Sequence, residues 1–266
     1  MNKTLFFASL KANWKLWMIT FFVLLMYQSI IISMYDPENV EAMATMIKAL
    51  PEAMSAAFGY DMIATDLSGH LGAYLYGFLF LVFPLIYLVP AANNMIARHV
   101  DKGSMVYMLA TPNTRTTISV TQAVFLVSST AVLLLSVVLM GILLCEIMFP
   151  GELVYGDYLL LNLVTIAVHL VLCAIGFLAS CTFSESRRSI AVGVGIPVAF
   201  LLLKMMSGTS EQLEATKYAS LFTVIDIPKI FSNTGYALLS TAVLLLVTFV
   251  LIVIGIYIFD RRSLTI

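Results

Sequence analysis

Long uncharged apolar runs alternate with short polar segments along the whole chain. About 20 apolar residues suffice to cross a bilayer core as a helix. Runs of that size fall near 16–35, 70–97, 117–145, 158–182, 190–206 and 236–259. The pattern predicts an all-α membrane protein with six transmembrane helices in one domain covering 1–266. The first run follows Lys3, Lys11 and Lys15 and ends in no small-residue cleavage pattern, so it reads as an anchor rather than a signal peptide. Phe6, Leu10, Trp14 and Trp17 share one helical face and the three lysines another, which predicts an amphipathic N-terminal helix lying in the membrane interface. In the second run Gly69, Ala73 and Gly77 recur every four residues, a small-residue stripe suited to close helix packing. Pro84 and Pro90 should bend the same run, and Gly193, Gly195 and Pro197 should bend the fifth.

The connections differ in character. Segment 36–69 opens on Asp36-Pro37-Glu38, a helix-start pattern, and Met43, Met46, Ile47 and Leu50 then fall on one helical face. Pro51 starts a second short helix with Met54 and Phe58. Two readings stand for this outer segment: a cap on the bundle, or a gate whose methionines tolerate varied apolar ligands. Loop 98–115 has charges at its ends and a compact apolar run, Met105 to Ala110, in its middle. A helix that short cannot span. It either folds back on its own bundle or offers a docking surface to a cytosolic protein.

Composition agrees with the pattern: 61% of residues are apolar and 11% charged, with mean hydropathy +1.00. Soluble domains carry about 25% charged residues, so no separate soluble domain fits. A net charge of −1 excludes a nucleic-acid binder working through a basic surface. Cys145, Cys173 and Cys181 all sit in or beside apolar runs and make neither a metal site nor a disulfide framework. Of the 14 basic residues, ten fall on one side when the N-terminus is placed inside, which favours both termini in the cytosol. His169 is the one ionisable group near the middle of a run. A proton relay needs partners, and no Asp, Glu, Lys or Arg lies well inside any span. Neutral His169 is therefore expected to hydrogen-bond to Ser or Thr of a neighbouring helix, with Asn162 on the same polar face. Ser68-Gly69-His70 and Ser207-Gly208-Thr209-Ser210 lack the nucleophile-and-base arrangement that an intramembrane protease needs.

Residues 101–115 carry a family resemblance. Asp101-Lys-Gly103-Ser104, then Leu109, then Pro112-Asn-Thr114-Arg115 resembles the cytoplasmic loop of permease subunits of type-2 ATP-binding-cassette (ABC) exporters. Asp101 stands where Glu is usual, and Gln122 where a lysine often follows. The six-span layout, the large first outer segment and the internal termini are similar too. The resemblance implies that two such permeases, identical or closely related, pair in the membrane and dock two cytosolic ABC ATPase subunits. Residues Asp101, Gly103, Ser104, Met105, Met108, Leu109, Pro112 and Arg115 then form the coupling element. ATP and Mg2+ belong to the ATPase. This chain contains no Gly-Lys pair and so no phosphate-binding loop of the Walker type; neither cofactor, metal nor catalytic residue is expected on it.

The sequence thus points to the permease of an ATP-driven exporter in a bacterial plasma membrane. Scarce buried charge favours apolar or amphipathic cargo such as peptides, antimicrobials or lipid-like compounds. The alternative is a stand-alone membrane protein, either a secondary transporter or a non-transporting immunity or scaffold protein. A secondary transporter should show midplane carboxylates and inverted repeats, and neither is visible.

Overall fold

The computed structural model describes residues 2–37, 66–207 and 211–263. The two short helices expected around Met43 and Met54 lie outside the described residues. Helix α1 spans Lys3–Ser33. Next come α2 (Leu67–Leu71), a π-helical turn at Gly72–Tyr76, α3 (Leu79–Val82) and α4 (Leu85–Met95). Two short helices, α5 (Ala97–Asp101) and α6 (Met105–Leu109), lead to α7 (Arg115–Met148), α8 (Tyr155–Thr182) and α9 (Ser186–Ser207). Two 3-10 turns, Glu211–Ala219 and Leu221–Val224, precede α10 (Ile227–Ser232) and α11 (Thr234–Arg261). No strand occurs among the described residues.

Helices α1, α7, α8, α9 and α11 are each long and apolar enough to cross a membrane. The second run is a bent pair, Leu67–Tyr76 and Leu79–Met95, with 53° between its halves. His70 meets the Ile31 carbonyl near one end of α1 and Asn94 meets Asn13 toward the other, so the bent pair runs along α1 and is the sixth candidate crossing. The bend lies where the proline rule did not put it. The chain leaves helical geometry at Phe78 (φ −138°, ψ −52°), directly after the π-helical turn and Gly77. Pro84 marks the lesser join between α3 and α4, and Pro90 sits inside continuous α4. The π turn also takes Gly69, Ala73 and Gly77 out of simple i, i+4 register, although all three are buried. Helix α9 likewise continues through Gly193, Gly195 and Pro197 as one element.

The expected interfacial helix does not stand apart from the first span. Residues 3–33 contain no glycine or proline, and Asn2 caps the start by accepting from the Leu5 N–H at 3.1 Å. At 1.5 Å per residue, 31 residues reach roughly 46 Å, about the full bilayer with its headgroup zones. The side chains that α1 turns inward are Ser9, Asn13, Thr20, Leu24, Gln28 and Ile32, four of them polar. Lipid tails are as apolar as leucine, so the polar groups gain more from the interior than the apolar ones do.

Helix α8 is the axis of the bundle. In its most apolar stretch 72% of residues are buried, against 17–33% for the other four long helices. It packs on α11, α9, α4 and α7. Small residues permit the close approaches: a Cβ on Gly176 would come within 2.9 Å of Ala92 Cβ in α4, and one on Gly255 of α11 within 3.2 Å of the Phe177 ring.

One end of the bundle gathers both described termini, the α4–α7 connection and the α8–α9 turn. Asn2 donates its side-chain amide to Asn113 Oδ1 and its backbone N–H to Thr121 Oγ1, both at 2.9 Å. Arg262 donates to the Cys181 carbonyl at 2.9 Å and also bonds Ser184. Arg98, Lys102, Arg115, Arg187, Arg188, Arg261 and Arg262 all belong to elements of this end, which we call the basic end. At the other end the Ser68 hydroxyl accepts from the Val154 N–H at 3.0 Å, and Tyr236 donates to the Val224 carbonyl at 3.1 Å.

Candidate functional site

The connection between α4 and α7 is a built corner. Backbone geometry breaks at Ile96 (φ −135°, ψ −57°), separating α4 from α5. The N–H groups of Ile96 and Ala97 both donate to Ser180 Oγ of α8, at 3.2 and 2.9 Å, so the break is fastened to the bundle axis. After α5 the chain reverses at Gly103, whose φ of +67° is the left-handed conformation that favours glycine. Ser104 lies in the same turn; its hydroxyl is 3.0 Å from His99 Nδ1 and 3.3 Å from the His99 carbonyl. Burial, with the adjacent charges of Arg98 and Lys102, lowers the pKa of His99 below its ordinary value. Then α6 begins.

Met105 is 0% exposed, and it lies in the cluster that also holds Val100, Phe125 and Phe177. Met108 and Leu109 are half-buried against the same cluster. The apolar side chains that α6 turns outward are Val106, 43% exposed, and Tyr107, 78% exposed. Asp101, Gly103 and Pro112 are exposed around them. The helix closes where Thr111 donates to the Met108 carbonyl at 2.6 Å, and Asn113 donates to Thr111 Oγ1 at 2.8 Å. Thr114 then caps α7 by accepting from the Thr117 N–H at 3.1 Å.

The motif residues thus occupy one corner with divided tasks. Arg115 donates at 2.5 Å to the carbonyl of Arg262, so within this chain it ties the end of α11 rather than an acidic group. Thr116 adds a bond to Asp260 at 2.8 Å. Gln122, which stands where a lysine is common, is buried and accepts from the Ser9 hydroxyl at 2.9 Å. An uncharged amide suits that buried contact with α1. The sequence reading did not single out Val106, Tyr107, Asn2 or Ser180. Asn2 and Thr114 carried a signal as capping residues ahead of helices; nothing local marks Ser180.

The polar groups inside the membrane are structural in their contacts. His169 does not bond a neighbouring Ser or Thr hydroxyl; its Nδ1 lies 2.8 Å from the Thr165 carbonyl on its own helix. Its Nε2 is buried and meets no hydrogen-bond partner among the described residues. Asn162 accepts from Tyr76 at 2.6 Å and donates to the Tyr158 carbonyl at 2.8 Å. Gln28 of α1 donates to Tyr158 Oη at 3.0 Å. Among the described residues no Asp, Glu, Lys or Arg is buried, and no group of three or more His, Cys, Asp or Glu is placed to hold a metal.

No curated protein matches the chain. The family described as "ABC-2 family transporter protein" matches residues 7–264, which takes in the α4–α7 corner and the candidate crossings. The chain belongs to the ABC-2 family, as a multi-pass membrane permease subunit of an ABC transporter.

Proposed function

We propose that this permease is the membrane half of an ATP-driven exporter for hydrophobic or amphipathic compounds, such as peptides, antimicrobials or lipid-like molecules. Two copies, or one copy and a close relative, pair in a bacterial plasma membrane and dock two cytosolic ATPase subunits, which hold ATP and Mg2+. The basic end faces the cytosol, in keeping with the Lys/Arg asymmetry of short loops. The observation that carries the reading is the construction of α6. Met105 roots the helix in the bundle while Val106 and Tyr107 stand out of it. An exposed aromatic beside an aliphatic is the kind of anchor that a partner groove buries.

Two features support the cargo class. The described interior lacks buried carboxylates and ammonium groups, which a path for ions would need. A lipid-facing groove of ≈ 420 Å³, lined by Phe6, Leu10, Trp14, Trp17, Phe125 and Val132 among others, suits apolar surface. The chain has no Gly-Lys pair, so hydrolysis falls to the partner.

The test is vectorial transport. Inside-out vesicles containing the permease and its ATPase should accumulate an amphipathic fluorescent cation on addition of ATP, and lose that uptake when the ATPase is omitted. Uptake driven by a proton gradient without ATP would instead identify a secondary transporter.

A further inference from the structure

At the basic end a cleft of ≈ 610 Å³ opens between α1 and the α4–α6 corner. Its α1 wall presents Leu5, Ala8 and Ala12, with buried Ser9 and Asn13 behind them. The facing wall presents Arg98, His99, Lys102 and Ser104, and Met95 and Met108 are apolar parts of the lining. No carboxylate lines the cleft. Arg98 and Lys102 are exposed, and neither forms an ion pair among the described residues. Arg98 is oriented by one bond, from its guanidinium to Asn94 Oδ1 at 2.9 Å, and Asn94 is itself held by Asn13 at 3.0 Å. A guanidinium fixed through one nitrogen keeps further donors for a planar or tetrahedral oxyanion. Asp101 is adjacent in sequence but points elsewhere than into the cleft lining.

The cleft is therefore amphipathic, cationic on one wall and aliphatic on the other, and it lies against the first turns of α1 at the basic end. We propose that it binds the phosphate of an anionic lipid, with Arg98 and Lys102 on the phosphate oxygens and the acyl chains along Leu5, Ala8 and Ala12. The lipid would brace the α5–α6 corner against α1. The same oxygens could come from free phosphate, but the aliphatic wall matches the lipid. This proposal requires only the cleft and holds whether or not α6 docks an ATPase.

Native mass spectrometry of the purified full chain in detergent tests it, with phosphatidylglycerol and phosphatidylcholine titrated separately. The wild type should bind its first phosphatidylglycerol more tightly than its first phosphatidylcholine. Each basic side chain near an anionic headgroup is worth about fivefold in affinity, so R98Q/K102Q should weaken phosphatidylglycerol binding roughly 25-fold. Lys11 and Lys15 are exposed on α1 but do not line the cleft. The equal charge loss in K11Q/K15Q should change binding by less than about twofold. Ala12→Phe keeps every charge, fills the aliphatic wall and should also remove the preference. Equal losses in the two double variants would mean diffuse surface attraction and overturn the proposal, as would a wild type without preference. Displacement of the lipid by excess inorganic phosphate would assign the cleft to a soluble anion and overturn the lipid assignment.

Discussion

Of the polar side chains that α1 turns inward, Ser9, Asn13 and Gln28 meet partners on three other helices, and the tightest meeting is at Gly141. A Cβ there would come within 1.9 Å of Gln28 Nε2 and 2.3 Å of Tyr158 Oη, the two atoms of one hydrogen bond. Gly141→Ala should therefore push Gln28 off Tyr158. Overpacking of this kind typically costs about 1–3 kcal/mol, so the thermal unfolding midpoint in detergent should fall. In a Gln28→Ala background the same substitution should cost clearly less, because one of the two crowded groups is gone; an unchanged cost would show that Gln28 is not what Gly141 accommodates. His99 gives a second prediction at this scale. Its folded-state pKa is lowered by burial and by Arg98 and Lys102. The neutral ring is therefore favoured by folding, a contribution present above the unfolded value of about 6.5 and lost as pH falls through the folded value. An NMR titration of the ring should show a midpoint below about 6.5 that rises in Lys102→Gln. A midpoint at or above the free value would contradict the burial described for the corner.

The crossings themselves were legible in the sequence, because runs of Leu, Val, Ile and Phe have no other stable place. Their inner faces were not. Nothing in the spacing of Ser9, Asn13 and Gln28 tells which neighbour each will meet, since that depends on Gln122, Asn94 and Tyr158 arriving from distant parts of the chain. The bend in the second crossing was legible as a bend, but the proline rule placed it at Pro84 and Pro90. A π turn ahead of Gly77 and Phe78 took the larger share instead. The stretch from Asp101 to Arg115 stood out through its family resemblance, and the structure puts its Gly103 in a left-handed turn that the sequence analysis had not named. What the motif concealed was its rotation: a five-residue helix has no periodicity long enough to separate Met105, which roots it, from Tyr107, which stands out. Gly103→Pro should disrupt this element doubly. Proline cannot adopt φ +67°, and it would remove the bond from the Gly103 N–H to the Val100 carbonyl at 3.0 Å. Proline after Lys102 blocks trypsin at that bond, so the readout is the exposed Arg98 in the same corner: trypsin should cut there faster than in wild type, while cleavage at Lys229 in the distant α10 stays unchanged. Equal rates at Arg98 would mean that the corner does not depend on Gly103.

At the scale of the molecule, one end collects the termini, the corner and most of the positive charge, and the account rests on that end meeting an ATPase in the cytosol. Cysteines substituted at Lys102 and Arg187 should be protected from an impermeant thiol reagent in intact cells, and one at Glu152 should label; the reverse pattern would invert the topology. The native cysteines Cys145, Cys173 and Cys181 are buried and should stay silent. The central claim, that α6 is the docking element, is tested most directly by recovery of the co-expressed ATPase on the tagged permease. Leu109→Asp is a poor choice, because Leu109 packs partly against the chain's own core. Tyr107→Asp places the charge on an exposed side chain and leaves the bundle intact. An unpaired charge forced into a buried interface typically costs several kcal/mol, so ATPase recovery should fall by about 100-fold or more in affinity. The matched control is Tyr218→Asp, a side chain 85% exposed and remote from the corner, which should recover the ATPase as the wild type does. If Tyr107→Asp retains its ATPase as fully as Tyr218→Asp, α6 is not the docking element and the account fails at its centre.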